Sequence, residues 1–437
     1  MWKKPNTSVP IHASQLVVGL YIWVDMPWLE HPFLSNRFML ETAKEIAIVQ
    51  ALDTQGRLYY HPDKSTATPG PLKLKSHSEP ALNEALQAEN AALRNELQQL
   101  EQAKKDRLQQ QKHMAARAEQ AWGKAASAVR GALVSLAHSP KAAGQQLAQL
   151  SSETASTVTA GQDILLHLLG DKDEQGPHFH ALNTMTLCVL VGQRAGLTGH
   201  ELSDLALAAL AHDTGKSEIP RHILKSAKRK RHEEEFYRQH VSFSVQFASK
   251  TGVFSRRALE IIADHHEHID GSGWPAGKKN MGLGARILSV VDRYDRLCSP
   301  ESPARERLMP AEALATMYSR EADKFDPSVL AILIKLLGVY PPGTVVQLSN
   351  GALALVISPG IHSLQPRVLI YNPDSPKDDA PTLELETVPE LKIVEAIRPT
   401  TLPPDVLEWL NPQQRLSYYF SADGADAVLP GVPPPSH

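Results

Sequence analysis

Apolar residues recur at helical spacing through the middle of this chain and at strand spacing towards its two ends. In LSDLALAALAHD, EEEFYRQHVSFSVQFASKTG, RRALEIIADHH, GARILSVVDRYDRL and PSVLAILIKLL they fall every three or four positions, the pattern of a helix with one buried face. A mostly helical region is therefore predicted over 125–338. Upstream, LVVGLYIWV alternates apolar and polar or small residues, and AKEIAIVQALD follows beyond PWLEHPFLSNRF. This predicts a small α+β module, and the Ser/Thr/Pro/Gly-rich stretch 63–80 serves as its linker, closing a segment 1–80. Downstream, PPGTVVQLSNGALALVISPG predicts a β-hairpin turning at Ser349-Asn350-Gly351, with RVLIYN as a further strand, so 339–400 is a β-rich extension. A Pro- and Gly-rich tail, 401–437, is extended or disordered beyond Tyr419.

Between linker and helical region lies a polar helix, 81–124, beginning PALNEALQAENAALRNELQQLEQAKK. Asn83, Asn90 and Leu97 share one seam position, and Leu86, Leu93 and Leu100 share the other. Leucines opposite a register-setting Asn make this a coiled-coil-like helix. Lys104 ends the seam, which leaves two readings: a homodimer contact, or one arm of an intramolecular hairpin. The fold class is thus mainly α, with a small α+β module ahead of the bundle and β-structure behind it.

Charge changes this picture little. The 45 basic and 48 acidic residues leave a net charge of -3, which gives no bias towards a nucleic acid polymer or an anionic membrane. Two cysteines, Cys188 and Cys298, are too few for a disulfide framework and suit a reducing cytoplasm. MWKKPNTSVPIHASQ has no apolar core behind its lysines and is a poor signal peptide. No apolar run reaches the roughly 18 residues of a spanning helix, so a cytoplasmic protein without a membrane span is expected.

The chemistry is concentrated in a few short stretches. AHDTGK ends an Ala/Leu-rich helix with His212 and Asp213, a carboxylate whose two oxygens can bridge two ions. Lys216 follows, placed to neutralise a phosphate oxygen. A His-Asp pair alone is also what a capped helix end looks like. DHHEHIDGSGWPAG, from Asp264 to Gly277, packs three histidines and three acidic residues into seven positions before a Gly-Pro turn. Asp292 in SVVDRYD sits among Ile287, Leu288, Val290 and Val291, where burying a carboxylate is costly unless it is paired or metal-bound. His240 and either His178 or His180 complete an imidazole-and-carboxylate set that suits iron, manganese or zinc.

HDTGKSEIP, the separate His240, HHEHIDGSGWPAG and ARILSVVDRYDRL, in that order, resemble the HD-GYP subfamily of HD-domain metal hydrolases over roughly residues 170 to 338. QLVVGLYIWVD and PWLEHPF resemble the domain of unknown function that often precedes HD-GYP domains. The resemblance implies an HD-type helical bundle at 125–338 and two divalent metal ions, Fe or Mn. It assigns His180, His212, Asp213 and Asp292 to the first ion, and Asp213, His240, His265 and His266 to the second, with Asp213 bridging. Lys216 would contact the scissile phosphate. The implied activity is hydrolysis of cyclic di-GMP by a metal-activated hydroxide, giving pGpG or GMP. It implies His180 rather than His178 as the upstream ligand, and leaves His268 and Glu267 beyond the ligand pair. His222 and His232, in a charged surface segment, are read as solvated.

Four departures from the family pattern stand out. Gly176 replaces the Glu that trimetal members carry, which predicts two ions. Trp274 replaces the Tyr of Gly-Tyr-Pro in a recognition loop built from Asp270, Gly271, Gly273, Trp274 and Pro275. HILKSAKRKRHEEE lacks the usual Lys-Pro-Gly turn. In LCSPESPARERL, Arg305 is the one substrate-binding arginine retained, and Glu301 or Ser302 stands where an earlier one is expected. These departures motivate a second reading, a catalytically weak or inactive cyclic di-GMP receptor or scaffold. Such a scaffold could partner a diguanylate cyclase or another signalling protein. Hydrolysis of a different phosphoester by the same metals is a third.

Overall fold

The computed structural model describes residues 8–26, 36–52, 56–72, 122–136, 138–160, 164–168, 176–301, 307–373, 382–410, 418–422 and 427–428, with single positions between them. The chain divides into two compact units. One comprises Met1–His113 with Tyr371–Pro381, the other Met114–Ile370 with Thr382–His437. Most of the predicted coiled-coil-like segment, and Arg305, lie outside the described residues.

In the first unit, strands β1 (Val9–Pro10), β2 (Tyr21–Val24), β3 (Arg37–Met39) and β4 (Leu58–Tyr60) form an antiparallel sheet in the order β1-β4-β2-β3. Helix α1 (Ala43–Ala51) is started by a capping box: Thr42 Oγ1 accepts from Glu45 N, and the Glu45 carboxylate accepts from Thr42 N. Leu20, Ile22, Val24, Leu40 and Val49 close the core. The predicted α+β module is therefore present.

The second unit is a helical bundle. Helix α2 (122–135) buries Trp122, Ala125, Ala126, Val129 and Ala132, spaced three or four apart. After α3 (Pro140–Ala160), helix α4 (Pro177–Arg194) runs through the middle of the core, and every residue from His178 to Gly192 is buried. Around it stand α5 (Gly199–Ala211) and α8 (His240–Thr251), then α9 (Arg256–Asp264), α10 (Leu283–Cys298) and α12 (Pro327–Leu337). Two short helices, α6 (Arg221–Leu224) and α7 (Arg231–Arg238), precede α8, and α11 (Pro310–Arg320) precedes α12. Leu202, Leu205, Leu210, Ile262, Leu288 and Leu333 are among the fully or nearly fully buried residues, each contributing about 1.5–3 kcal/mol by leaving water. The sequence pattern treats EEEFYRQHVSFSVQFASKTG as one helix; the chain instead breaks at Gln239, so that His240 opens a new one.

The C-terminal extension is a sheet ordered β10-β6-β7-β8-β9, antiparallel throughout, from β6 (Val345–Leu348), β7 (Leu353–Ser358), β8 (Arg367–Ile370), β9 (Thr382–Glu384) and β10 (Ile393–Ile397). The β6–β7 turn is the one predicted: Gly351 takes φ +80° and Asn350 Oδ1 accepts from Ala352 N at 3.0 Å. A strand inside the region predicted helical was not foreseen, nor was its pairing with a strand from the tail predicted to be extended or disordered. β5 (Ile164–Leu168) pairs antiparallel with β11 (Tyr418–Ala422), drawing part of the tail onto the helical region. A short apolar run such as ILLHL fits either helix or strand by pattern, and only a distant partner decides.

Candidate metal centre

Five helices bring their ends or faces to one place. His180 comes from the first turn of α4, and His212 and Asp213 from the end of α5. His240 opens α8, His265 and His266 follow α9, and Asp292 lies midway along α10. The glycine of HDTGK makes this convergence possible. A Cβ on Gly215 would stand 2.1 Å from the His240 carbonyl oxygen and 2.5 Å from Ser244 N, so any side chain would drive α8 away from Asp213. Gly215 N donates to Ser244 Oγ at 2.8 Å and holds the approach.

Three of the rings are oriented by the backbone carbonyl three residues before them. His212 Nδ1 lies 2.8 Å from Ala209 O, His240 Nδ1 2.7 Å from Tyr237 O, and His265 Nδ1 2.7 Å from Ile262 O. A carbonyl only accepts, so each Nδ1 carries its proton and each Nε2 presents a lone pair to the pocket. His180 is held from the other side: its Nδ1 lies 2.6 Å from Asp295 Oδ2, and Asn183 Nδ2 donates to Asp295 Oδ1 at 3.1 Å. Asp295 and Asn183 were not singled out from the sequence.

Among the described residues two donor groups form, each with its ligand atoms within 4.8 Å of one another. They are His180, His212, Asp213 and Asp292, and Asp213, His240, His265 and His266. These are the two sets the resemblance implies, sharing Asp213. His178, in contrast, turns its ring against Phe179, with centroids 4.5 Å apart, and joins neither group. The fit to divalent cations is tested by the second group: Asp213 Oδ1 and the Nε2 atoms of His240, His265 and His266 are all buried without a hydrogen-bond partner among the described residues. Asp213 Oδ1 lies 3.5 Å from His240 Nε2 and 4.0 Å from His265 Nε2, and three orphaned acceptors so close together would be costly unless something cationic satisfies them; imidazole with carboxylate suits a first-row divalent ion.

The two groups differ in charge environment. Burial lowers His240 to about 4, with Lys216 adding to the effect, and burial likewise pushes His265 and His266 well below the ordinary histidine value. Burial also opposes charge on His180, but its bonds to Asp213, Asp292 and Asp295 prevail and raise it to about 10. Burial would raise the Asp213 and Asp292 carboxyls, yet the Arg296 guanidinium heads the groups that hold both well below the carboxylate range. Arg296, one turn after Asp292, escaped the sequence reading. Its Nε lies 2.7 and 2.8 Å from the Asp292 oxygens, and its Nη2 bonds Asp213 Oδ2. Lys216 Nζ reaches Asp213 Oδ2 at 2.8 Å and Glu301 Oε1 at 2.5 Å.

The loop after the paired histidines is part of the same wall. Trp274 packs on the His266 ring at 4.2 Å between centroids and edge-on to His240 at 5.5 Å, and its peptide to Pro275 is cis. Glu267, read from sequence as lying beyond the ligands, is fully buried and accepts from Ala276 N at 2.7 Å and Lys278 N at 2.9 Å, clamping the loop shut. Gly273 lets the strand of the loop close, since a Cβ there would stand 2.3 Å from His268 N. Asp270 caps the turn through Ser272 N, Gly271 takes φ +84°, and His268 bonds Ser272 Oγ at the partly exposed edge. His222 and His232 are exposed, as expected.

All seven donor residues lie within a stretch of the chain that matches a known family. The HD domain family matches residues 145–329, and the Domain of unknown function DUF3391 matches residues 8–146. The cyclic di-GMP phosphodiesterase PA4108 of Pseudomonas aeruginosa is 30% identical over 227 residues, 51% of this chain and 54% of that protein. The cyclic di-GMP phosphodiesterase response regulator RpfG of Xanthomonas campestris is 33% identical over 151 residues, 33% of this chain and 39% of that one. A 3'3'-cGAMP-specific phosphodiesterase of Vibrio cholerae is 28% identical over 163 residues, 36% of this chain and 30% of its own length. The chain thus spans about half, or less, of the length of the curated relatives it matches. Among solved structures, the HDG"Y"P protein Bd1817 of Bdellovibrio bacteriovorus aligns at a TM-score of 0.39 and 17% identity, covering 75% of this chain and 97% of that one. The two domain matches together give one succession along the chain: residues 8–146 match the DUF3391 family and residues 145–329 match the HD domain family.

Proposed function

We propose that this chain is a metal-dependent cyclic dinucleotide phosphodiesterase that hydrolyses cyclic di-GMP to pGpG or GMP. The observation that carries the reading is the pair of donor groups joined through Asp213, one of which holds Asp213 Oδ1, His240 Nε2 and His265 Nε2 buried without hydrogen-bond partners among the described residues. His180, His212, Asp213 and Asp292 would hold one divalent ion, and Asp213, His240, His265 and His266 the other, with iron or manganese the ions that suit the donors. Such a pair supplies Lewis acidity and a water acidified towards neutral pH. The chain's own residues do the rest. The backbone carbonyls of Ala209, Tyr237 and Ile262 hold ring tautomers in place, Trp274 covers His266, and Lys216, buried between Asp213 and Glu301, is the cation proposed to meet a phosphate oxygen.

Full-length protein loaded anaerobically with Fe²⁺ or Mn²⁺ should convert cyclic di-GMP to the linear product, read by chromatography. Absence of both turnover and binding by the loaded protein would sink the proposal. A second reading, a cyclic di-GMP receptor or scaffold with little catalysis, is favoured by one observation: Glu301, with Ser302 one of the two positions where a substrate arginine is expected, places a carboxylate on Lys216. Binding by calorimetry without product would select it. A signalling role in the cytoplasm, contact with a diguanylate cyclase and a homodimer formed through 81–124 belong to this proposal, as does the segmentation into 1–80, 81–124, 125–338, 339–400 and 401–437. Sedimentation of the full chain tests the dimer. Among the described residues no helix is long and apolar enough to cross a membrane.

A further inference from the structure

We propose that Arg296 is a built-in cation that competes with a divalent ion for Asp213 and Asp292, so that the two halves of the metal centre fill unequally. This rests on the metal-centre reading above. A carboxylate oxygen offers two lone pairs in its plane. Both are taken on Asp213 Oδ2, one by Lys216 Nζ at 2.8 Å and one by the Arg296 guanidinium. Arg296 Nε also lies 2.7 and 2.8 Å from the two oxygens of Asp292. Asp213 Oδ2 and Asp292 Oδ1 are the same oxygens that stand 3.0–3.4 Å from the Nε2 atoms of His180 and His212. An ion entering this half must displace an N–H donor, and it meets a guanidinium that cannot shed its charge. Asp213 Oδ1, facing His240 and His265, has no hydrogen-bond partner among the described residues, so the other half fills without displacing anything.

Glu301 gives the displaced cation somewhere to go. Its Oε1 already lies 3.2 Å from Arg296 Nη1 and 2.5 Å from Lys216 Nζ. The Glu301 side chain is 36% exposed, against 15% for Arg296, so the carboxylate stands at the rim and draws the guanidinium outward. Entry of the ion and transfer of Arg296 from the two aspartates to Glu301 are then one exchange, with no bond made or broken other than hydrogen bonds and ligand bonds.

The test is a Mn²⁺ titration of chelator-stripped full-length protein by calorimetry, with free Mn²⁺ counted by electron paramagnetic resonance. The wild type should take one ion tightly and a second about tenfold more weakly, the scale on which groups that contact metal ligands act. Arg296→Gln should tighten the weak step by about tenfold and leave the tight one unchanged. Glu301→Gln, at the rim, should weaken the second step further. An Arg296→Gln titration that overlays the wild type, or binds the second ion more weakly, overturns the proposal. If Arg296→Gln does not fold, an unchanged or tightened second step in Glu301→Gln overturns it instead. No uptake by any of the three overturns both this proposal and the metal-centre reading. Unequal uptake without cyclic di-GMP hydrolysis overturns the proposed activity alone.

Discussion

The two donor groups of the candidate metal centre are built from the same residue types and share Asp213, yet they are opposites electrostatically. Around His240 and His265 the ring nitrogens facing Asp213 are buried and unpartnered among the described residues, and burial keeps these rings and that of His266 neutral. Around His180 and Asp292 every polar group is paired, His180 holds its proton up to about 10, and Arg296 neutralises the carboxylates. The lesson is that a ligand set is not defined by its ligands. Whether an imidazole is a free lone pair or an imidazolium depends on what its second nitrogen and its neighbours touch.

The largest expected effect comes from the shared residue. Asp213→Ala should abolish cyclic di-GMP hydrolysis and lower bound Mn²⁺ in both halves, whereas His240→Ala should deplete one half only; metal analysis beside an activity assay separates them. If His240→Ala empties both, the halves are not independent. Next is Asp295→Ala, which frees the His180 ring while leaving all ligands in place. It should weaken metal uptake by roughly 10–100-fold in the His180 half alone, and equal loss from both halves would refute that division.

Gly215→Ala acts on geometry rather than charge. Its new methyl meets backbone at 2.1 Å, so α8 must move away from Asp213, with a cost of about 1–3 kcal/mol in urea unfolding. A stability equal to the wild type would mean that the close approach is not needed.

The smallest effect is in pH. In metal-stripped protein, His240 has a folded value lowered to about 4, so its neutral form stabilises the fold above the ordinary histidine value of about 6.5. That contribution is lost as the pH falls from there towards 4. His180 runs the other way: its raised value means stabilisation that is complete below about pH 6.5 and lost as the pH rises through about 10. Urea midpoints across this range should therefore fall on both flanks. His240→Asn should flatten the acid flank more than the alkaline one.

Much of this candidate site was legible as sequence because its donor residues come in short motifs. His212 with Asp213, His265 with His266, and Asp292 on an apolar helix can be recognised without knowing what they touch. Asp295 and Arg296 were legible in principle, since they sit three and four residues after Asp292 and share its helix face, but nothing local says that they bond across the core. Glu267 lies beyond the ligand pair, as read, but its hold on the loop could not be seen in the sequence for the same reason: its partners are backbone N–H groups of a loop that only folding brings back. Arg305 and most of the coiled-coil-like segment lie outside the described residues.

By itself the sequence determined the succession of a small α+β module, a helical bundle and a β-rich extension, through apolar periodicity that any folded state must bury. It also determined which side chains could ligate metal, because those residue types are written in it. Only the tertiary structure decided which lone pairs are already spent. Arg296 reaches Asp213 across 83 residues and Asp295 reaches His180 across 115. Such contacts depend on how helices pack rather than on spacing along the chain, and they make one half of the centre open and the other contested.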